Sequence, residues 1–549
     1  MPGIHHTVSS SMHHISNRIV RISTCLCAMI LFVQIATGVA SGTTINQTKI
    51  AQLRQAAARG NLDAMDKLGN AYLHGNDVVR NYRTANSWFQ RAAAKGNATA
   101  MSNIGALYEH GYGVHQNYRQ AMMWYCRAAD KGNAAAMNHI GALYAHGQGV
   151  PRNYRTAMKW WHKAAGKGSA DAMYLIGWLY EGGHGVPKNY SQAMSWLRKS
   201  AVKGNAQALD GIGDLYANGQ GVRQDYRRAM VWYKKAAAKD NASAMSNIGT
   251  LYYYGRGVRR EYGKALDWFH KAAAAGNSGG MDLVGLSYCK GQGAPQNYGK
   301  AMAWFHKAAA KGNVNAMVFI GTFYAEGRGV PINYGKAMLW LRKAAALDSA
   351  GAMKLIGSLY YAGKGVPQNS RRAIDWFQKA AVKGDMQAMT TLGELYVDGR
   401  GVEHDYRRAL IWFRKAASAG SAEAMFCIGA FYNSGLGVRR DYSKAIAWFR
   451  RGAAKGSAVA MYNIGRLYYH GQGVPQSYPK AMRWYRKAAA AGYAPAITCI
   501  GQMYFYGFGV SKDISKAKIW FKKAAVAGDP RGKQALGELK ELVPAATQK

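Results

Sequence analysis

Cysteine is scarce in this chain, with six in 549 residues. Cys25 and Cys27 stand in an apolar stretch near the N-terminus. Cys126, Cys289, Cys427 and Cys499 are too few and too scattered for the disulfide framework of a small secreted scaffold, and they read as buried or half-buried free thiols. Acids are scarce too. Against 72 Lys and Arg there are 28 Asp and Glu, a net charge of +44 that predicts salt-sensitive attraction to anionic partners of some kind. Apolar residues are not lacking: 49% hydrophobic and 12% aromatic residues suffice to bury a large core.

A membrane-length apolar run is missing at the N-terminus. Arg18 and Arg21 precede CLCAMILFVQIA (25–36), and TGVASG follows with Gly38 and Ala40. A basic segment, a short apolar segment and a small-residue cleavage site in that order read as a secretory signal peptide over residues 1–40. About a dozen apolar residues fall short of the roughly 20 that span a bilayer, which favours a cleaved signal over a retained anchor. Met12 is a second candidate start. The expected location is secreted or periplasmic, with delivery to host cells as an extension.

What fills the rest is repetition without insertion or deletion. A Gly preceded by Ile, Leu or Val recurs every 36 residues from Gly69, Gly105 and Gly141 to Gly537. A fixed period of that size marks units that bury their apolar faces only by stacking on their neighbours. In residues 137–172, Met137, Ile140, Gly141 and Tyr144 follow the i, i+3, i+4, i+7 pattern of one helix face. Gly147 ends that helix, Gly149 to Pro151 carry a turn, and Asn153 caps a second helix from about Tyr154 to Lys167. Ala157, Trp160, Ala164 and Ala165 are expected to face inward. Thirteen of the fifteen Trp share one register, Trp88 to Trp520, and are expected to be core. The mid-helix Gly costs about 1 kcal/mol against Ala, so it is expected to admit a neighbouring helix, with Ala157 and its equivalents meeting it. Residues 51–64 match only a second helix and 533–549 only a first helix and tail, so half-repeat caps flank thirteen full repeats over 65–532, with 41–50 as linker.

The segment IGALYEHGYGVHQNYRQAMMWYCRAADKG (104–132) carries the pattern in full, and it resembles the Sel1-like repeat, a relative of the tetratricopeptide repeat. The resemblance covers about residues 51–540. It implies an all-α fold, a right-handed α-α superhelical solenoid, used as a protein-binding adaptor or scaffold at membranes and cell envelopes and exported by some pathogens. A cysteine-rich branch of the family pairs two Cys in each repeat; this chain lacks them, so that branch's β-lactam binding is not carried over.

Signatures of chemistry are missing as well. The GQGV, GRGV and GKGV turns have no preceding strand, no third Gly at dinucleotide-binding spacing and no P-loop Lys-Ser/Thr, so no nucleotide cofactor is expected. His74, His110 and His146 share one register, but helices of adjacent units lie about 8–10 Å apart while zinc ligands converge within about 2 Å of one ion, so they read as exposed polar residues and no metal site is expected. No Ser, Cys or acid breaks the repeat as a grafted active site would, so the chain is not read as an enzyme, and a hydrolytic enzyme is kept only as the remote alternative.

The variation lies at positions 2, 6 and 9 of each unit, counted from residue 65. There stand Tyr174, Trp178, Tyr253, Tyr361, Phe426, Tyr462, Tyr469 and Phe505. Two readings are open for this stripe: anchors of a groove for a protein or peptide partner, or packing against the same helix of the next unit. The first-helix segments carry nine acids against four bases, so the basic excess belongs to second helices and turns, as at Arg227, Arg228, Lys234 and Lys235. That face is either a solubilising surface or a binder of anionic polymers and membrane surfaces, such as lipopolysaccharide or acidic lipid; nucleic acid is disfavoured.

Overall fold

A computed structural model describes residues 47–542. The signal-peptide reading of residues 1–40 falls outside them. Among the described residues there are twenty-eight helices and no strand, numbered in chain order from α1 (Gln47–Ala58) to α28 (Pro530–Leu542). The chain divides into two compact units, one of Met1–Gly280 with Gln292–Ala294 and the other of Met281–Gly291 with Pro295–Lys549. Each unit, over its described residues, is a stack of helical hairpins. The first helix begins at Gln47, inside the stretch read as linker.

One hairpin shows how the sequence sets the geometry. Asn133 caps α6 (Ala134–His146), its side-chain oxygen accepting from the Ala136 N–H at 2.8 Å. Gly147 ends the helix at φ +72°, a conformation that side chains resist, and its N–H donates to the Leu143 carbonyl at 2.9 Å. Asn153 then closes the turn onto the Tyr144 carbonyl and caps α7 (Tyr154–Gly166) through the Thr156 N–H at 3.0 Å.

The mid-helix glycine is a notch, and what fills it corrects the sequence reading. A Cβ on Gly105 would stand 2.6 Å from Cε1 of Tyr125, and one on Gly285 2.6 Å from Cε1 of Phe305. The side chain twenty positions on in the second helix therefore occupies the space, more than the small Ala does. The same residue corrects the core. In α7, Ala157, Trp161, Ala164 and Ala165 are buried, whereas Trp160 is only half-buried. Its register is half-buried from Trp88 to Trp520, and the residue after it is the buried one: Phe89, Tyr125, Phe269, Phe305, Phe413 and Phe449 are among the largest fully buried side chains. A second helix is wedged between its own first helix and the following one, and the bisector of that wedge runs through the residue after Trp.

The cap helices keep the register without the partner. Gly537 of α28 has nothing within 4 Å of a hypothetical Cβ, because no second helix follows it among the described residues.

Candidate interaction surface

The flank left by the wedge is where the Trp rings lie, and each carries a cation. Lys163 Nζ is 4.3 Å from the Trp160 ring centroid, Lys199 4.2 Å from Trp196, Lys235 4.6 Å from Trp232 and Arg451 4.5 Å from Trp448. All thirteen rings of the register are covered this way by the Lys or Arg three positions on, one helical turn away. Such pairs hold a cation in place without neutralising it, so the second-helix surface keeps its positive charge. Arg227, Arg228, Lys234 and Lys235 are all exposed on it, with Arg228 paired to Asp225 at 3.4 Å. The alternation W-x-x-[KR] was present in the sequence and is the signal that would have found this ladder.

The first-helix side differs. All eight aromatic residues read as candidates there are half-buried. Trp178 packs against Tyr154 of the preceding hairpin, ring centroids 6.3 Å apart, and against His184 at 4.7 Å. Tyr174 flanks a core cluster that includes Met194 and Leu209. Tyr253 meets Tyr262 at 5.3 Å and donates its hydroxyl hydrogen bond to Gln292. Phe426 stacks on Phe449 at 5.9 Å, Tyr462 lies between Tyr485 and Tyr493, Tyr469 meets Tyr478 and Phe508, and Phe505 packs beside Tyr506. Most of these contacts lie within one repeat, those of Trp178 with Tyr154, Tyr253 with Gln292 and Tyr469 with Phe508 cross to a neighbouring one, and all eight rings keep part of their surface exposed.

Two of the eight meet in one cavity. Tyr361 on α18 (Ala350–Ala362) and Phe426 on α22 (Ala422–Ser434) line a hollow of about 400 Å³, floored by Leu395 and Phe413 and edged by Glu394 and Asp398 of α20 (Met386–Asp398). Tyr361, Glu394 and Phe426 hold positions 9, 6 and 2 of three successive units, a diagonal across three parallel helices. Reading each helix separately hides that diagonal; laying the units in register reveals it. The other six candidates do not enter this cavity. Arg400, which the sequence reading passed over, bridges the rim: its Nε pairs with Asp398 at 3.3 Å and its Nη1 donates to the Tyr361 hydroxyl at 2.8 Å. Glu394 has Glu423 and Asp398 as like-charged neighbours, and desolvation followed by their repulsion pushes its carboxyl up. Cys427 lines the wall, and burial drives its thiol up to about 12, which keeps it protonated and a poor nucleophile.

Further acids on the first helices are held by hydrogen bonds. Glu109 accepts from the Tyr125 hydroxyl at 2.5 Å and faces His139 Nδ1 at 3.2 Å, and despite its desolvation these partners hold its carboxyl low. Asp66 takes Asn103 at 3.1 Å, and Asp214 takes the Tyr233 hydroxyl at 2.7 Å. The histidine expectation is corrected: His74, His110 and His146 are half-buried, and desolvation lowers all three. Among the described residues no group of three or more His, Cys, Asp or Glu is placed to hold a metal ion, the four described cysteines are free, and no helix is long and apolar enough to cross a membrane.

These features define an all-α solenoid of tandem hairpins. The Sel1 repeat model matches thirteen segments, from 62–97 to 498–529, and the chain belongs to the Sel1 repeat family. Solenoids of this kind generally serve as non-catalytic scaffolds for protein interactions. Among solved structures it is similar to c5321, a protective antigen present in uropathogenic Escherichia coli strains, at 30% identity over 84% of this chain and 98% of that one, TM-score 0.46. A Sel1 repeat protein from Oxalobacter formigenes is similar at 33% identity over 46% of this chain and all of that one, TM-score 0.42. Yeast Tom70 aligns at 13% identity over 88% of this chain and 96% of its own, TM-score 0.33. Comparison with curated protein sequences gives no match.

Proposed function

We propose that this protein is an exported scaffold of the cell envelope or of a host-interaction system, and that it captures a protein or peptide partner on its first-helix face. The observation that carries the reading is the cavity shared by Tyr361 and Phe426, where half-buried rings from hairpins two repeats apart leave an apolar hollow beside carboxylates. Half-exposed aromatic residues at fixed spacing are the usual anchors of a protein interface. Capture from an extract of the producing organism, eluted with a salt gradient, tests it: a partner held by apolar anchors stays bound through moderate salt, and a polyanion is released. N-terminal sequencing of the exported form tests the location. It is expected to begin near Ser41, and a mature chain that retains Cys25 would overturn export by cleavage.

A second reading is favoured by the Trp-cation ladder. A surface that holds exposed Lys and Arg in fixed positions suits an anionic polymer or membrane, with Arg227, Arg228, Lys234 and Lys235 as contacts.

A further inference from the structure

We propose that the cavity between Tyr361 and Phe426 receives the side chain of an arginine or lysine presented between apolar residues of an extended partner segment. The inference rests on the reading of the first-helix face as the binding face and names the chemistry one site on that face selects. Arg and Lys are amphipathic, with an apolar stem and a cationic head. The cavity is built in the same order. Leu395, Phe413 and Phe426 offer apolar floor and wall, and the carboxylates of Glu394 and Asp398 stand at the edge.

The occupancy of the rim sharpens the choice. Arg400 already shows how a guanidinium is held there, by Asp398 and the Tyr361 hydroxyl together. Asp398 therefore already has a cationic partner within the chain. Glu394 has no such cation among the described residues; its charged neighbours are Glu423 and Asp398, whose repulsion adds to desolvation in lifting its carboxyl. An arriving cation would relieve that repulsion, and an arriving carboxylate would add to it. A neutral apolar residue would fill the hollow and leave Glu394 less solvated than before, which selects against it. Arg400 competes with the incoming head for Asp398, so it weakens binding.

The test uses the full chain and three fluorescein-labelled pentapeptides, Gly-Leu-Arg-Leu-Gly and its citrulline and glutamate counterparts, read by fluorescence anisotropy at about 150 mM salt. Citrulline keeps the shape of arginine and removes its charge. The arginine peptide is expected to bind about tenfold more tightly than the citrulline peptide, and the glutamate peptide weakest. Glu394→Gln is expected to erase the arginine preference, and Arg400→Ala to strengthen arginine binding about threefold or more by freeing Asp398. Equal binding of arginine and citrulline peptides, or an arginine preference that survives Glu394→Gln, overturns the proposal. Sedimentation of the chain alone covers another occupant: self-association abolished by Glu394→Gln would show the cavity filled by a basic residue of a second copy, and would also overturn it. Partner capture that depends on the first-helix aromatics while the peptides show no charge preference removes this inference and leaves the scaffold reading standing. A charge preference without aromatic-dependent capture does the reverse.

Discussion

The Tyr125 ring fills the space that a Cβ on Gly105 would need, 2.6 Å from it at Cε1. The ring is fully buried, so it has nowhere to retreat. Gly105→Ala is expected to lower stability by about 1–3 kcal/mol, although Ala is the better helix former. Gly537→Ala is expected to raise stability by up to about 1 kcal/mol, because nothing lies within 4 Å of the new methyl. Gly177 faces Leu197 at 3.0 Å, and a flexible aliphatic chain gives way more easily than a ring, so Gly177→Ala falls between them. Urea unfolding of the three variants checks the order. A neutral Gly105→Ala would mean that the notch has no role.

The contributions of Glu181 and Asp282 to stability are expected to fall as pH rises from the ordinary carboxylate range to about 7. Burial, with repulsion from Asp214 added, lifts the Glu181 carboxyl to about 7, and burial alone lifts that of Asp282 to about 7. Asp282 Oδ1 has no hydrogen-bond partner. Between the ordinary carboxylate range and about 7, the unfolded chain has released these protons and the folded chain retains them. The contribution of these two carboxyls to stability therefore declines as pH rises through that window and levels off above it. Glu181→Gln and Asp282→Asn remove the decline. Each is expected to raise the thermal midpoint relative to the parent at about pH 8 and by less at about pH 5. A gain that is the same at both pH values would assign the effect to packing.

The period, the glycine helix stops, the Asn cap of the second helix and the need for close approach at the mid-helix Gly were legible in the sequence, because each depends on residues within one unit; which side chain fills that notch was not. The phase of the second helix was not. Trp160 and Trp161 are both large and adjacent, and local periodicity cannot say which of them bisects a wedge formed by two other helices. The cavity was hidden for the same reason. Tyr361, Glu394 and Phe426 are each unremarkable in their own helix, and their convergence exists only across three units. Arg400 lies in a turn whose glycines drew attention as a helix stop, so its bridge from Asp398 to Tyr361 had no local signature.

The two faces are expected to do different work. Trp178→Ala with Tyr253→Ala should weaken capture of a protein partner, by about 2 kcal/mol or more where either is a hot spot, with little change in salt dependence. Charge reversal at Arg227, Arg228, Lys234 and Lys235 should weaken adsorption to vesicles containing acidic lipid and flatten its salt dependence, while sparing that partner. Because Trp178 also packs on Tyr154, thermal unfolding is measured alongside, so that lost packing is not read as lost binding. If the basic set alone abolishes partner capture, the second-helix surface is the binding face.

Removal of a whole repeat is expected to leave a shorter folded array, whereas removal of part of one is not. Deleting residues 98–133, one matched copy of the repeat, joins Asn97 to Ala134. Asn97 then caps the helix that Asn133 capped, since both accept from the N–H three positions on. Gly149 meets Tyr82 in place of Tyr118, as Gly113 does in the intact chain, where its Cβ would stand 2.6 Å from the Tyr82 Cβ. Every inter-repeat contact type finds its equivalent, and each helix is too short to persist alone, so stability falls by one unit and its interface without loss of cooperativity. Deleting 98–117 instead removes the first helix and its turn. Tyr125 loses the Gly105 notch, and Ala121, Ala128 and Ala129, fully or nearly buried in the intact chain, lose the helix that covered them. Helical circular dichroism per residue should hold in the first deletion and drop in the second, with a broadened unfolding transition. Equal loss from both would show that the cooperative unit is not the 36-residue hairpin.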